Sequence, residues 1–169
     1  MNDKKYDLNN ICVLDIETTG INIFESEIIE IFILKIENNL IIDSYYSLFK
    51  PSKPILNSRI HGITDSVVEN SPKILEKKHE IINFLDGFIL VGHNIDNFDI
   101  KFLNHFLNHT FNNLTIDTVK LSKTKLGKKL ENHKLSTIAK FYGLDEPKHN
   151  AKNDVMVTFE IYKKLMSIK

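Results

Sequence analysis

Apolar residues come in short blocks along the chain, and their spacing changes from block to block. Ile11 to Ile16 is a β-branched run that ends in polar residues, the pattern of a buried strand. Glu27 to Glu37 is a second strand, with Ile29, Ile31 and Ile33 on one face and Ile28, Phe32, Leu34 and Ile36 on the other. A strand apolar on both faces is covered on both. Asn38-Asn39 follows as a two-residue turn, since Asn tolerates positive φ. Leu40 to Phe49 interleaves Asp43, Ser44 and Ser47 with apolar residues, as an edge strand does.

The spacing then turns helical. Ser71-Pro72 reads as N-cap and first helical residue, and Ile74, Leu75, Ile81, Ile82 and Leu85 form a stripe that stops at Gly87. Phe88 to Val91 and Leu114 to Ile116 are short strands. Phe98 to Leu107, Leu135 to Tyr142 (stopped by Gly143) and residues 151–166 are helices. The order βββ-α-β-α-β-α-α predicts an α/β fold: a mixed five-stranded sheet, a three-stranded antiparallel meander plus parallel strands, flanked by helices.

A length of 169 residues predicts a single domain over 1–169. With 22 basic and 22 acidic residues the net charge is zero, so bulk charge points to neither nucleic acid nor membrane. The charge is unevenly spread: residues 1–50 hold nine acids against four lysines, and residues 120–140 hold seven lysines against Glu131 alone. A single cysteine, Cys12, excludes an internal disulfide framework and a Cys-rich zinc site. No apolar run reaches the roughly 18 residues of a membrane span. Met1-Asn2-Asp3-Lys4-Lys5 leads into no signal-peptide core. The expectation is a soluble cytoplasmic protein with no membrane partner.

Three segments carry candidate chemistry. In Val13-Leu14-Asp15-Ile16-Glu17-Thr18-Thr19-Gly20, Asp15 and Glu17 end a strand two residues apart, so both carboxylates share a face. Like charges so placed repel unless a cation lies between them, and a hard divalent ion prefers oxygen ligands. Alone, such a pair also reads as exposed acids at a turn. The hydroxyls and amides of Thr18-Thr19-Gly20 suit a nucleotide end. In Gly92-His93-Asn94-Ile95-Asp96-Asn97-Phe98-Asp99, Asp99 opens a helix, where an acid also simply complements the helix dipole. In His149-Asn150-Ala151-Lys152-Asn153-Asp154, a fully helical run would set His149 and Asp154 about 140° apart. They converge if His149 lies in the loop that Pro147 favours and Asp154 lies one turn into the helix. A histidine there can move a proton near neutral pH, or can be an ordinary surface residue. Strand ends and helix starts at one edge of an α/β sheet face a common crevice, and four carboxylates there match two divalent cations.

These residues resemble the DEDDh 3′–5′ exonucleases, the proofreading ε-subunit-like group with a ribonuclease H-like fold, over nearly the whole chain from Ile11 to Ile161. Asp15 and Glu17 match the first motif, Asp99 the second, and His149 with Asp154 the third. His61-Gly62-Ile63-Thr64 and Ile116-Asp117-Thr118 match further family segments. One departure is visible: Ile95-Asp96-Asn97 puts three residues between the Asn and Phe of the second motif, where many proofreading-type members have two. Some stand-alone exonucleases share the longer spacing.

The resemblance implies two-metal phosphodiester hydrolysis from a 3′ end, with Mg²⁺ or Mn²⁺ held by Asp15, Glu17, Asp99 and Asp154 and with His149 as general base. It also implies that Thr18, Thr19 and Gly20 meet the terminal nucleotide, that Ile63 and Phe98 pack on bases, and that His61 and Asn94 touch the sugar-phosphate end. The partner implied is a single-stranded DNA 3′ end, with RNA as the alternative substrate and a DNA polymerase as a possible associate. Lysines 120, 123, 125, 128, 129 and 134 either steer phosphates or form a solvated loop and helix. A haloacid-dehalogenase-type phosphohydrolase is disfavoured by Glu17 and by the opening meander. A non-enzymatic binding module is disfavoured by the presence of all five expected catalytic residues.

Overall fold

The computed structural model describes residues 10–168; the polar Met1–Lys5 segment lies outside them. Among the described residues, β1 (Asn10–Thr18), β2 (Ile28–Glu37), β3 (Leu40–Leu48), β4 (Ile89–Gly92) and β5 (Thr115–Asp117) form one mixed sheet in the order β3-β2-β1-β4-β5. β1 pairs antiparallel with β2, and β2 with β3. β1 pairs parallel with β4, and β4 with β5. The meander turns at Asn38 and Asn39, both at positive φ (50° and 65°), as the sequence requires. β3 lies at the edge, with Leu40, Ile41, Ile42 and Tyr46 exposed.

Helices cover the sheet. Short turns α1 (Ser58–His61) and α2 (Asp65–Val68) precede α3 (Lys78–Leu85) and α4 (Asp99–Phe106). α5 (Thr118–Leu126), α6 (Leu135–Tyr142) and α7 (Ala151–Met166) complete the chain. The side-chain alternation of β1 divides the core. Cys12, Leu14 and Ile16 pack with Ile81 and Leu85 of α3 and Phe102 and Leu103 of α4. Ile11 and Val13 pack with Val155, Phe159 and Tyr162 of α7. The period of two therefore turns Asp15 and Glu17 toward α7. Cys12 is fully buried, its thiol against the Phe84 carbonyl, and burial pushes it up to about 12.

Two sequence expectations change. Ser71-Pro72 does not start a helix: the Pro72 carbonyl accepts from Lys50 N, and the helical chain begins as a 3-10 turn at Ile74–Lys77. α5 occupies the start of the lysine-rich stretch and adds a helix that the order βββ-α-β-α-β-α-α lacks.

Candidate active site

β1 ends at the carboxyl edge of the parallel strands, where α/β sheets gather ligands. A register shift between Glu17 and Thr18 marks that end. Glu27 N donates to Thr19 Oγ1 at 2.9 Å, and Thr19 N donates to the Glu27 carbonyl. The Thr18 hydroxyl donates to the Gly20 carbonyl at 2.6 Å and is buried. The hydroxyl proton expected to meet a nucleotide is thus used within the loop. Gly20 packs close to Ser26: a Cβ there would lie 2.6 Å from Ser26 Oγ, so a side chain at this position would turn that hydroxyl away.

α7 brings the third motif to this edge. Its N-cap, Asn150, accepts from Asn153 N, which fixes where the helix begins. Asp154 then lies one turn in, and its Oδ1 accepts from Lys148 N at 2.9 Å. His149 sits in the loop at φ 51° with an exposed ring. The predicted arrangement of loop histidine and helical aspartate is what the chain adopts. Ligand atoms of Glu17, His149 and Asp154 all lie within 4.8 Å of one another.

Asp99 reaches the same place from α4, on the other side of the sheet, and is 2% exposed. Its Oδ1 has no partner among the described residues. Burial pushes its carboxyl up to about 7, opposed by the Ile16 backbone and assisted by Asp117. Glu17 is pushed up to about 8 by burial first, then by the charges of Asp154, Glu30 and Asp99. Asp15 is raised well above the carboxylate range by burial, then by Asp99, Glu17, Asp154 and Glu30. Burial also raises Asp154, while the Lys148 amide and His149 pull it down.

Among the described residues no lysine or arginine pairs with any of these acids. Four crowded carboxylates with an orphaned buried oxygen and no organic cation suit an inorganic one. The oxygen-rich donor set, with one imidazole, fits a hard divalent metal ion.

The surrounding residues divide between expectation and correction. Asn94 is exposed at φ 67°, with its N–H on Asp117 Oδ1 at 3.1 Å. The three residues after it have distinct places: Ile95 is fully buried, Asp96 pairs with Lys120 at 2.6 Å, and Asn97 bonds back to Asn94. Phe98 is half-buried, packed on Phe102 with ring centroids 4.7 Å apart. His61 is buried, and its Nδ1 accepts from Ile63 N, which leaves the proton on Nε2. Its imidazole is held below the usual histidine range by burial and by His149. Ile63 is not a base-packing surface: at 6% exposure it sits in a small core with Ile29, Ile55 and Val68.

Several groups have roles that the sequence motifs left unassigned. Asp117 is buried, caps α5 through Val119 N, and holds the Asn94 turn. His93 bonds Thr118 Oγ1 at 2.9 Å, and burial pushes it down to about 4. Glu30 is buried beside Glu17, and its signal was in view, as the one acid inside the apolar run Ile28-Ile29-Glu30-Ile31-Phe32. A cleft of about 900 Å³ opens beside His149 and Asp154, with Asn94, Lys123, His133 and Lys134 on its walls.

Comparison with known proteins is consistent with this geometry. Residues 12–162 match the family model described as Exonuclease, RNase_T. A PolC-type DNA polymerase III from Caldanaerobacter subterraneus is 37% identical over 160 residues, which is 91% of this chain and 11% of that protein. The chain thus spans about a tenth of the PolC-type relatives it matches. The DNA polymerase III subunit epsilon of Aquifex aeolicus is 30% identical over 161 residues, covering 91% of this chain and 79% of that one. Among solved structures, exonuclease I superposes with a TM-score of 0.81 at 17% identity, over 95% of this chain and 41% of that chain. Exonuclease X, in complex with 5′ overhanging duplex DNA, superposes at 0.71 and 22% identity, over 92% and 90%. Both share the ribonuclease H-like fold expected from the motifs.

Proposed function

The chain belongs to the exonuclease family, and from that premise we propose that residues 1–169 act as one catalytic domain that removes nucleoside 5′-monophosphates from the 3′ end of single-stranded DNA. The observation that carries this reading is the meeting of Glu17, His149 and Asp154 within 4.8 Å, with Asp15 and Asp99 beside them.

Asp15, Glu17, Asp99 and Asp154 would hold two divalent ions, Mg²⁺ or Mn²⁺. Bound there, such ions make water more acidic and offset charge on the leaving 3′ oxygen. His149 takes the proton of the attacking water at a ring nitrogen, and its exposed loop lets it pass that proton to solvent. Asp154 orients this loop through the Lys148 amide. Thr19, Gly20, His61 and Asn94 border the space for the terminal nucleotide. Phe98 offers its free face to a base, which any π-surface satisfies with little sequence preference. The PolC-type and epsilon relatives support a role in proofreading or repair beside a DNA polymerase in the cytoplasm.

The test uses two 5′-labelled single strands, DNA and RNA of one sequence, with Mn²⁺. A shortening ladder on DNA, abolished by Asp154→Ala, is the expected result. A ladder on RNA alone would move the protein to RNA turnover, and none on either strand would sink the catalytic reading.

A further inference from the structure

Glu30 is 2% exposed, the one charged residue in the apolar stretch Ile28–Leu34 of β2. Burying a carboxylate is costly unless its oxygens are satisfied. Its position makes it costlier still, because Glu30 pairs in register with Glu17 and adds its charge to the repulsion on both Asp15 and Glu17. Among the described residues no lysine or arginine lies against it.

Its partners explain its presence. Glu30 Oε2 accepts from Ala151 N at 3.0 Å, a contact between residues 121 positions apart. The Tyr46 phenol of β3 lies near the same carboxylate and is pushed up to about 12, by burial first and then by Glu30. Ala151 is the first residue of α7 and is fully buried, so its amide is one of the unpaired donors of a helix start and cannot reach water. A carboxylate there both pairs the amide and complements the positive end of the helix. Two residues before Ala151 stands His149, and three after it stands Asp154.

We infer that Glu30 is a positioning residue: its carboxylate ties the first amide of α7 to β2, and thereby sets His149 and Asp154 against Asp15 and Glu17 on the neighbouring strand. Glu30 touches neither substrate nor scissile bond. The inference rests on the exonuclease reading for its kinetic consequence, and not for the contact itself.

Two conservative variants separate reach from charge. Glu30→Gln keeps an oxygen that can accept from Ala151 N and loses the charge. Glu30→Asp keeps the charge and withdraws it by one methylene. If Glu30 positions the helix start, Glu30→Gln holds kcat on 5′-labelled single-stranded DNA within about threefold of the parent, while Glu30→Asp lowers kcat by about 10–100-fold at nearly unchanged KM, the scale of a 1 Å misplacement. In parallel, amide hydrogen exchange at Ala151 and Asp154, the buried, hydrogen-bonded amides of the helix start, stays slow in the parent and in Glu30→Gln and accelerates in Glu30→Asp. Loss of activity in Glu30→Gln equal to that in Glu30→Asp, or full activity in both, overturns the inference. If the parent itself cuts nothing, the exonuclease reading has failed, and the exchange pattern alone decides whether Glu30 holds the helix.

Discussion

Asp15 sits where its chemistry and the stability of the chain pull in opposite directions. Burial and four neighbouring carboxylates raise it well above the usual range, and Glu17 and Asp99 rise to about 8 and about 7 with it. Groups whose folded values exceed their unfolded ones make the folded chain bind more protons. Their contribution is complete below the unfolded values, 4.5 for Glu17 and 3.8 for Asp99, and is lost as pH rises through the folded ones. The metal-free protein is therefore expected to lose thermal stability steadily between about pH 4 and pH 8. Asp15→Asn removes one of the repelling charges. It is expected to raise the metal-free melting temperature at pH 8 by about 2–8 °C, while cutting nuclease activity by about 10³-fold or more. Melting curves in chelator and the labelled-strand assay measure the two effects. A variant that is both less active and less stable would mean that Asp15 serves the fold.

At the scale of elements, the β2–β3 turn is the clearest local commitment. Asn38 and Asn39 both take positive φ, which costs a β-branched residue roughly 1–2 kcal/mol. Asn38→Val is expected to lower stability by that amount in denaturant titration and to leave activity intact, since the turn lies at the far end of β2 from Glu30. This turn, the meander and the terminal helix were legible in the sequence because each rests on a local rule: positive φ at Asn, alternation in strands, a stripe at helical spacing. α5 was not. Its inward face carries Thr118 and Ser122, both fully buried, whose hydroxyls are met by the Gly92 carbonyl, the Val119 carbonyl and His133. A helix that buries hydroxyls shows a weak apolar stripe, so a reading by hydrophobic period passes over it. Ser71-Pro72 misled for the opposite reason: the local signal was sound, but pairing of Pro72 with Lys50 on a distant segment overrode it. For the site, spacing pointed to Glu17, His149 and Asp154, which meet in the structure with Asp15 beside them, whereas Ile63, expected on a base, sits in a small core through tertiary packing.

At the scale of the molecule, acids and lysines meet at one cleft. The acids gather at the carboxyl edge of the sheet, and Lys123 and Lys134 line the cleft that opens beside them. Lys120 is paired with Asp96, and Lys125 donates to the Ile168 carbonyl, so the lysine run is not uniformly committed to solvent or ligand. Lys123→Glu combined with Lys134→Glu is expected to raise KM for a single-stranded oligonucleotide by about tenfold or more and to flatten its salt dependence, with kcat little changed. Unchanged KM would assign these lysines to solvation alone. No helix among the described residues is long and apolar enough to cross a membrane.

Cys12 lies three residues before Asp15 on the central strand, sealed at zero exposure with a thiol that ionises only near pH 12. A maleimide or disulfide reagent finds no thiolate in the closed molecule and must wait for β1 to come out of the sheet. The chain thus carries its own stopwatch for opening of its innermost strand, started without any engineered label. Ligands that favour the closed form slow that clock in proportion to their occupancy, so one cysteine reports on the grip of the acidic cluster three residues away.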